Sequence, residues 1–251
     1  MTEWTTLTPA EIDSMRRGRR HPQPTQFDYL HIRRLVDDIS AALARVEAPV
    51  RDVLDVYCGT RPYDDLLPEG ARCVGLDVPG NPYDGVADVI SDEFLPFEDE
   101  SFDLVTCYEA FQYVPDPARG VAEMRRVLRP GGTALVTVPF AWEYDRSIVE
   151  HRYTEPELRA LFASWEDVDV VENGGRVVVW ATLTGTIFAR ARARVPDLVG
   201  VGAVLRGLVA LPLLLMNTLA SVFARLEERS VRGSVTMPMN LLVTARKPAG
   251  G

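Results

Sequence analysis

The chain has 251 residues, of which 47% are hydrophobic and 25% charged, an ordinary composition for a globular protein with one sizeable core. The formal net charge of -9 argues against a general nucleic-acid-binding surface, because phosphate binding requires clustered Lys and Arg. Cys58, Cys73 and Cys107 lack the spacing of metal ligands, so they predict buried, reduced thiols in a cytosolic protein and no metal site. The N-terminus has no apolar segment of the signal-peptide type.

The first part of the chain predicts a flexible arm followed by a helix. Residues 1–26 are polar and contain several prolines, so we expect them to be loosely held. Residues 27–47 carry apolar side chains at helical spacing, which predicts an amphipathic helix. These side chains are Leu30, Ile32, Leu35, Ile39, Leu43 and Val46.

Four continuous apolar runs predict buried strands, and helices separate several of them. The runs are residues 51–58, 71–78, 102–108 and 133–140. One helix is predicted over 116–132, with Asp116 as its N-cap and Pro130-Gly131-Gly132 as its end. A shorter helix is predicted over 154–165 with Thr154 as its N-cap. Apolar runs without alternation are typical of a parallel sheet covered on both faces, so the predicted fold class is α/β.

The C-terminal third differs in character from the rest. Residues 176–237 are apolar and contain many arginines, which predicts a helical insert. Within it, 176–192 is compatible with either a helix or a strand. Residues 239–248 predict a last strand that returns to the sheet. The predicted domain therefore comprises 27–175 and 238–248, interrupted by the insert.

The stretch VLDVYCGTRPY at 53–63 predicts a ligand-binding turn after the first strand. In open α/β sheets, ligands bind beyond the carboxyl ends of the strands. Gly59 allows the backbone to approach a ligand closely. Asp77 ends the next strand, where a carboxylate can accept hydrogen bonds from two ribose hydroxyls. This pair indicates an adenosine-type ligand, either a dinucleotide or S-adenosylmethionine.

Residues 95–139 favour S-adenosylmethionine. The segment contains LPFEDESFDLV, then VPDP at a helix start, then RVLRPGG before a strand. Together with VLDVYCG and GLD in the same order, it closely resembles the class I S-adenosylmethionine-dependent methyltransferases, of the methyltransferase type 11 kind. The resemblance covers roughly residues 50–165 and the final strand. It implies a Rossmann-like, mostly parallel seven-stranded sheet with helices on both faces, and S-adenosylmethionine as cofactor.

The resemblance also implies a set of cofactor-binding residues. Asp77 would hold the ribose hydroxyls, with Val78 beside the adenine. Asp92 is the candidate for the adenine amine, although it lies one residue closer to LPF than in the family pattern. The full set is Asp55, Tyr57, Gly59, Asp77, Val78, Asp92 and Tyr108.

The loop departs from the family pattern DxGCGxGxx at two positions. Tyr57 replaces the first glycine and Arg61 the third, whereas the central Gly59 is kept. Two interpretations follow. The loop is a variant that ends in Pro62-Tyr63 and still binds the cofactor, or the protein is a catalytically inactive scaffold with a methyltransferase fold.

The predicted acceptor site lies in and near residues 140–154. His151 is the candidate general base by its intrinsic pKa, and Tyr153 is a second catalytic candidate. Glu109, Tyr144 and Arg152 are the candidates for acceptor binding. The expected reaction is O- or N-methylation of a small-molecule, sugar-linked or lipid-linked acceptor.

Residues 207–224 form an uncharged stretch of 18 residues, at the lower length limit for a membrane span. Pro212 and Asn217 interrupt it, and the last strand must return to the same sheet, so we expect no span. Residues 184–237 contain seven Arg and three acids, giving +4, so the rest of the chain is at -13. This leaves a helix on an anionic membrane surface, a substrate lid, a core helix or a homodimer interface. The expected location is cytoplasmic, with a peripheral position on the inner face of the membrane as one option.

Overall fold

The computed structural model of the protein describes residues 5–47, 49–146, 148–194, 201–230 and 236–250. Within them the chain forms one seven-stranded sheet with the order β3-β2-β1-β4-β5-β7-β6. All neighbouring strands are parallel except those that pair with β7, which runs antiparallel to both β5 and β6. The strands are β1 (Asp52–Val56), β2 (Arg72–Asp77), β3 (Val89–Ile90), β4 (Phe102–Tyr108), β5 (Leu128–Pro139), β6 (Glu166–Asn173) and β7 (Asn240–Arg246).

Helices cover both faces of this sheet, which confirms the predicted α/β class. On one face, α2 packs Ile32, Leu35 and Ile39 into a buried cluster with residues of the central strands. On the other, Met124 of α3 and Leu158 of α4 belong to a second buried cluster. The helices in chain order are α1 (Pro9–Arg20), α2 (Tyr29–Leu43), α3 (Pro117–Val127), α4 (Glu155–Leu161), α5 (Arg176–Ala193) and α6 (Val201–Ser230).

The strand order positions the site. From β1 the chain moves outward to β2 and β3, and then returns to place β4 on the other side of β1. The order therefore reverses between β1 and β4. A crevice opens beyond the carboxyl ends of strands at such a switch point, and ligands of open α/β sheets bind there.

The segment predicted as a flexible arm contains a helix that contacts the sheet domain. A capping box of Thr8 and Glu11 begins α1. Arg16 Nε donates to the carbonyl of Thr60 at 2.7 Å, in the loop after β1. The expectation for residues 9–20 was therefore wrong. This helix is hard to recognise in the sequence, because Ile12 is its one buried residue and Arg16 and Arg20 bind the sheet domain through hydrogen bonds.

The structure differs from the sequence prediction, or completes it, at α3, α5 and β6. The helix predicted over 116–132 ends earlier, at Val127, because Leu128 already pairs with Phe102 in the sheet. The ambiguous segment 176–192 is helical and belongs to α5. Strand β6 was not predicted, because its sequence EDVDVVEN is largely acidic and only partly buried.

The helices α5 and α6 pack on each other and on the N-terminal segment. Val178 and Ala181 of α5 share a buried cluster with Ala220 and Ala224 of α6. The amide of Asn217 donates to the carbonyls of Pro24 and Gln26, both at 2.8 Å. Part of the predicted insert, including Asp197 and Arg232, lies outside the described residues.

One helix of the described chain is long and apolar enough to cross a membrane by length and composition. The segment is Ala210–Glu227, within α6, and 22% of it is buried inside the protein. Strand β7 follows this helix and lies between β5 and β6 of the same sheet.

Candidate cofactor and acceptor site

Asp55 lies at the bottom of the crevice, near the end of β1. Its side chain is buried and accepts a hydrogen bond from Thr106 Oγ1 of β4 at 2.9 Å. Burial raises the pKa of Asp55 to about 7, since desolvation penalises the charged form. The first acidic residue of the predicted site is therefore fixed in place and titrates near neutrality.

Gly59 and Asp77 form a cradle at the mouth of the crevice. The Gly59 amide donates to Asp77 Oδ2 at 3.0 Å, and the Val78 amide donates to Oδ1 at 2.8 Å. Gly59 has a φ of +53°, a left-handed conformation that favours glycine. A β-carbon there would lie 3.5 Å from the ring of Tyr83. The two backbone bonds fix the carboxylate at the end of β2 and leave each oxygen with further accepting capacity.

Tyr57 and Arg61 keep the backbone shape that glycine would give. Their φ angles are +53° and +50°, in the left-handed region that non-glycine residues rarely adopt. The Arg61 guanidinium binds Asp64 Oδ2 at 2.8 Å and Asp88 Oδ2 at 2.6 Å. The Tyr57 ring packs against Phe94 with centroids 6.0 Å apart. Burial raises the pKa of Tyr57 to about 12, so its hydroxyl stays neutral.

The remaining predicted cofactor residues differ in placement. Val78 follows the cradle and is 39% exposed. Asp92 is exposed, and within the described residues it forms no hydrogen bond or ion pair. The hydroxyl of Tyr108 is buried without a partner among the described residues. Its ring meets that of Tyr63 edge to face, with centroids 5.0 Å apart.

Arg19 of α1 enters the same region and was missed from the sequence. Its guanidinium opposes the effect of burial on Asp28, Tyr63 and Glu109, in each case favouring the charged form of the neighbour. Even so, burial dominates and raises the pKa of Tyr63 to about 12. Within the described residues, Arg19 has no acidic oxygen within 4.0 Å, while Asp28 Oδ1 and the Tyr63 hydroxyl are buried without partners. The charge of Arg19 therefore lies among buried polar groups without an ion pair.

Glu109 directly follows β4. It has a φ of +55°, and its amide donates to Thr137 Oγ1 at 2.8 Å. Its Oε1 accepts a hydrogen bond from Asn240 Nδ2, and its Oε2 lies 4.0 Å from His31 Nε2. His31 and Asn240 were also missed from the sequence. The sequence does contain a signal for both residues, since His31 interrupts the apolar face of α2 and Asn240 is the first residue of the last strand.

The residues predicted in 140–154 do not form one cluster. His151 and Tyr153 lie together, with stacked rings whose centroids are 5.9 Å apart. Tyr153 is buried against Phe111, and burial raises the pKa of its hydroxyl. Arg152 is paired with Glu150 at 2.6 Å. Tyr144 is 66% exposed and has no hydrogen-bond partner among the described residues. His151 and Tyr153 as catalytic groups remain predictions.

This fold and the position of the crevice resemble those of the class I S-adenosylmethionine-dependent methyltransferases. Residues 54–136 match the family model described as "Methyltransferase domain", of the methyltransferase type 11 kind. The resemblance noted from the sequence is thereby confirmed for the central part of the chain. The cofactor of this class is S-adenosylmethionine.

Curated relatives extend the comparison. The chain is 36% identical over 101 residues to a ubiquinone biosynthesis O-methyltransferase of Hahella chejuensis, covering 35% of this chain and 42% of the relative. It is 30% identical over 159 residues to a malonyl-[acyl-carrier protein] O-methyltransferase of Methylococcus capsulatus, covering 51% and 57%. The chain thus spans about half the length of these relatives.

A solved structure supports the fold over most of the chain. The crystal structure of the cyclase SpnF covers 88% of this chain and 83% of its own, with a TM-score of 0.54 and 19% identity. At this identity the likeness concerns the fold alone.

The residues of the crevice fit S-adenosylmethionine chemically. The fixed carboxylate of Asp77 can accept from two ribose hydroxyls, because each oxygen has so far taken one backbone donor. The cationic Arg19 and the unpartnered Tyr63 hydroxyl offer donors for a carboxylate. Asp55 belongs to β1, the strand that precedes the loop carrying Gly59.

Proposed function

We propose that the protein is an S-adenosylmethionine-dependent methyltransferase that methylates an oxygen or nitrogen of a small-molecule, sugar-linked or lipid-linked acceptor. The observation that carries the proposal is the Asp77 carboxylate, held by the amides of Gly59 and Val78 at the carboxyl edge of the sheet. Bound there, the cofactor supplies an electrophilic methyl group. The chain's own contribution is to hold both partners in line, which can provide much of the rate enhancement.

In this proposal Arg19 binds the carboxylate at the methionine end of the cofactor. A guanidinium suits a carboxylate because it can donate two parallel hydrogen bonds. Arg19 belongs to α1, and α1 is tied to the loop after β1 through Arg16 and Thr60. Helix α1 would therefore close over the bound cofactor and exclude water from it.

Calorimetric titration with S-adenosylmethionine and S-adenosylhomocysteine tests the cofactor site. We expect micromolar binding to the wild type and its loss in Asp77→Ala. Asp84→Ala is the matched control, because Asp84 is exposed in the loop that follows β2. Absence of binding to a folded wild type would contradict the proposal and favour the alternative, an inactive scaffold with a methyltransferase fold. Tyr57 and Arg61 are the observations that favour this alternative.

We also propose that α6 rests on an anionic membrane surface, which would bring the enzyme to a lipid-linked acceptor. Five apolar side chains repeat along one face of the helix at intervals of three or four residues, and each is more than half exposed. They are Leu211, Leu215, Leu219, Val222 and Leu226. Arg194 and Arg225 are also exposed, and such cations are attracted to anionic lipid by about 1 kcal/mol each. The acceptor of the ubiquinone-pathway relative is consistent with a lipid-linked substrate.

Vesicle co-sedimentation tests the membrane proposal. We expect binding to phosphatidylcholine vesicles that contain phosphatidylserine, with weaker binding when phosphatidylserine is absent. Leu215→Glu combined with Leu219→Glu should abolish it. Ile148→Glu combined with Val149→Glu is the matched control, since both residues are exposed outside the helix pair. If light scattering instead shows a dimer that the α6 variant converts to a monomer, the face is a dimer interface.

A further inference from the structure

A chain of polar side chains runs through the core to the acceptor side of the crevice. His31 is 3% exposed and Asn173 is fully buried. His31 Nδ1 lies 3.2 Å from Asn173 Oδ1, and Asn173 Nδ2 donates to Asp38 Oδ2 at 2.8 Å. Burying the two polar side chains of His31 and Asn173 is costly unless each is hydrogen-bonded, so this arrangement constrains the direction of every bond in it.

The direction of these bonds fixes the tautomer of His31. The Asp38 carboxylate can only accept, so the nitrogen of the Asn173 amide points to Asp38. The amide oxygen therefore points to His31 and accepts from Nδ1–H. In the neutral ring, Nε2 then carries the lone pair. Burial lowers the pKa of His31 to about 4, which keeps the ring neutral at physiological pH.

The lone pair of His31 Nε2 has no hydrogen-bond donor among the described residues, and the same holds for acceptor atoms near it. Its closest acid is Glu109, whose Oε2 is 4.0 Å away, too far for a hydrogen bond. Asn240 gives its amide hydrogen to Glu109 Oε1, so its own Oδ1 is left buried and without a partner among the described residues. Among the described residues, His31 Nε2 and Glu109 Oε2 therefore face each other after β4 without a hydrogen bond between them.

We propose that the hydroxyl or amino group to be methylated binds between His31 and Glu109, and that His31 Nε2 receives its proton. Asn173 and Asp38 are positioning residues that hold the required tautomer. This inference rests on the proposed function and specifies its acceptor as a hydrogen-bond donor. As the acceptor oxygen or nitrogen bonds to the methyl carbon, the carbon–sulfur bond breaks and its electron pair stays on sulfur. The acceptor's proton passes to the lone pair of His31 Nε2.

Burial has the largest effect on the pKa of His31, and charged groups from several elements also lie near its ring. Arg19 of α1 lowers its pKa, whereas the hydrogen bond to Asn173 of β6 raises it. Glu109 lies beyond the end of β4, and Asp38 acts through Asn173 from α2 itself. The neutral ring is the form that a general base requires, because its Nε2 can accept a proton.

Nitrogen-15 spectra of the histidine side chains test the tautomer directly. The chain has three histidines, so His21→Gln and His151→Gln assign the resonances without touching His31. We expect a neutral ring protonated at Nδ1, with a pKa well below the ordinary value. Asp38→Ala should release the Asn173 amide and give a mixture of tautomers. Asp37→Ala is the matched control, because the neighbouring Asp37 is exposed. A ring protonated at Nε2 in the wild type would overturn the inference.

The acceptor-binding step is tested with phenol and benzoate in the presence of saturating S-adenosylhomocysteine. Phenol donates an O–H, whereas benzoate has the same ring but only accepts. We expect phenol to shift the Nε2 resonance of His31 and benzoate to leave it unchanged. No shift with phenol, or a shift with benzoate alone, would overturn the inference. The spectra of the free protein do not depend on the cofactor, so failure of cofactor binding would be recognised separately in the calorimetric titration.

Discussion

The two sides of the crevice, the proposed cofactor side and the proposed acceptor side, are built in different ways. On the cofactor side, Gly59 and Asp77 are 18 residues apart, and the backbone amide of Gly59 donates to the carboxylate of Asp77. On the acceptor side, His31 and Asn173 are 142 residues apart, and Asn240 and Glu109 are 131 apart. The cofactor side is thus a local structure of two β–loop units. The acceptor side exists only after α2, β6 and β7 have packed together.

This difference predicts that the cofactor side keeps its structure when a charged side chain is neutralised, because hydrogen bonds from nearby backbone amides maintain its shape. The strongest test is Asp55→Asn, which keeps an oxygen that can accept from Thr106. The folded pKa of Asp55 is raised from 3.8 to about 7, so the folded state holds a proton that the unfolded chain releases between these values. Its contribution to stability is complete below pH 4 and is lost as the pH rises to 7.

The variant should therefore gain stability relative to the wild type as the pH rises from 4 to 8, by up to about 4 kcal/mol. Urea unfolding at each pH, without cofactor, measures this difference. His31 titrates in the opposite sense over the same range, because its folded pKa is lowered to about 4. Its contribution is present in both proteins and cancels. A difference that does not change with pH would show that Asp55 is ionised in the folded state.

The same contrast determines what could be predicted from the sequence. The fold class, the loop at Gly59 and the acid at Asp77 follow from contiguous patterns, since strand, turn and strand are adjacent in the chain. His31 and Asn240 are single polar residues in apolar segments, and their meeting depends on the order of strands in the sheet. The polar sequence of α1 concealed both its helix and the role proposed for Arg19, because its contacts are hydrogen bonds rather than an apolar face.

Arg19 connects the two sides, and its removal should affect cofactor binding more than folding. Arg19→Met keeps most of the length and removes the charge. We expect the affinity for S-adenosylhomocysteine to fall by roughly 10- to 100-fold, since a hydrogen bond to a charged group contributes about 1.5–3 kcal/mol. Titration calorimetry measures the loss. Arg17→Met is the matched control, because Arg17 lies on the same helix with its side chain 65% exposed. Equal affinities in the two variants would remove Arg19 from the site.

The smallest expected effect concerns the two residues that replace glycines in the loop. At Tyr57 the backbone has a φ of +53°, and the ring packs on Phe94. Tyr57→Ala removes the packing but keeps a β-carbon in the left-handed conformation. Tyr57→Gly removes both. The left-handed conformation costs a residue with a β-carbon roughly 1–2 kcal/mol, so the glycine variant should be the more stable of the two by about 1 kcal/mol.

At an ordinary strand or helix position the order would be reversed, with alanine more stable by roughly 0.5–1 kcal/mol. The sign of the difference in unfolding free energy between the two variants, measured with urea, therefore shows whether the backbone at residue 57 is left-handed. It does not depend on the role of the tyrosine ring, which both variants lack. The cofactor affinity of the same two variants shows whether the Tyr57 ring lines the pocket or obstructs it. If Tyr57 forms part of the pocket wall, both variants bind more weakly than the wild type. If the ring obstructs the pocket, as an inactive scaffold would require, both variants bind more tightly than the wild type. Tyr57→Gly, which introduces the glycine that the family usually has there, would then restore a cofactor site that this chain has closed.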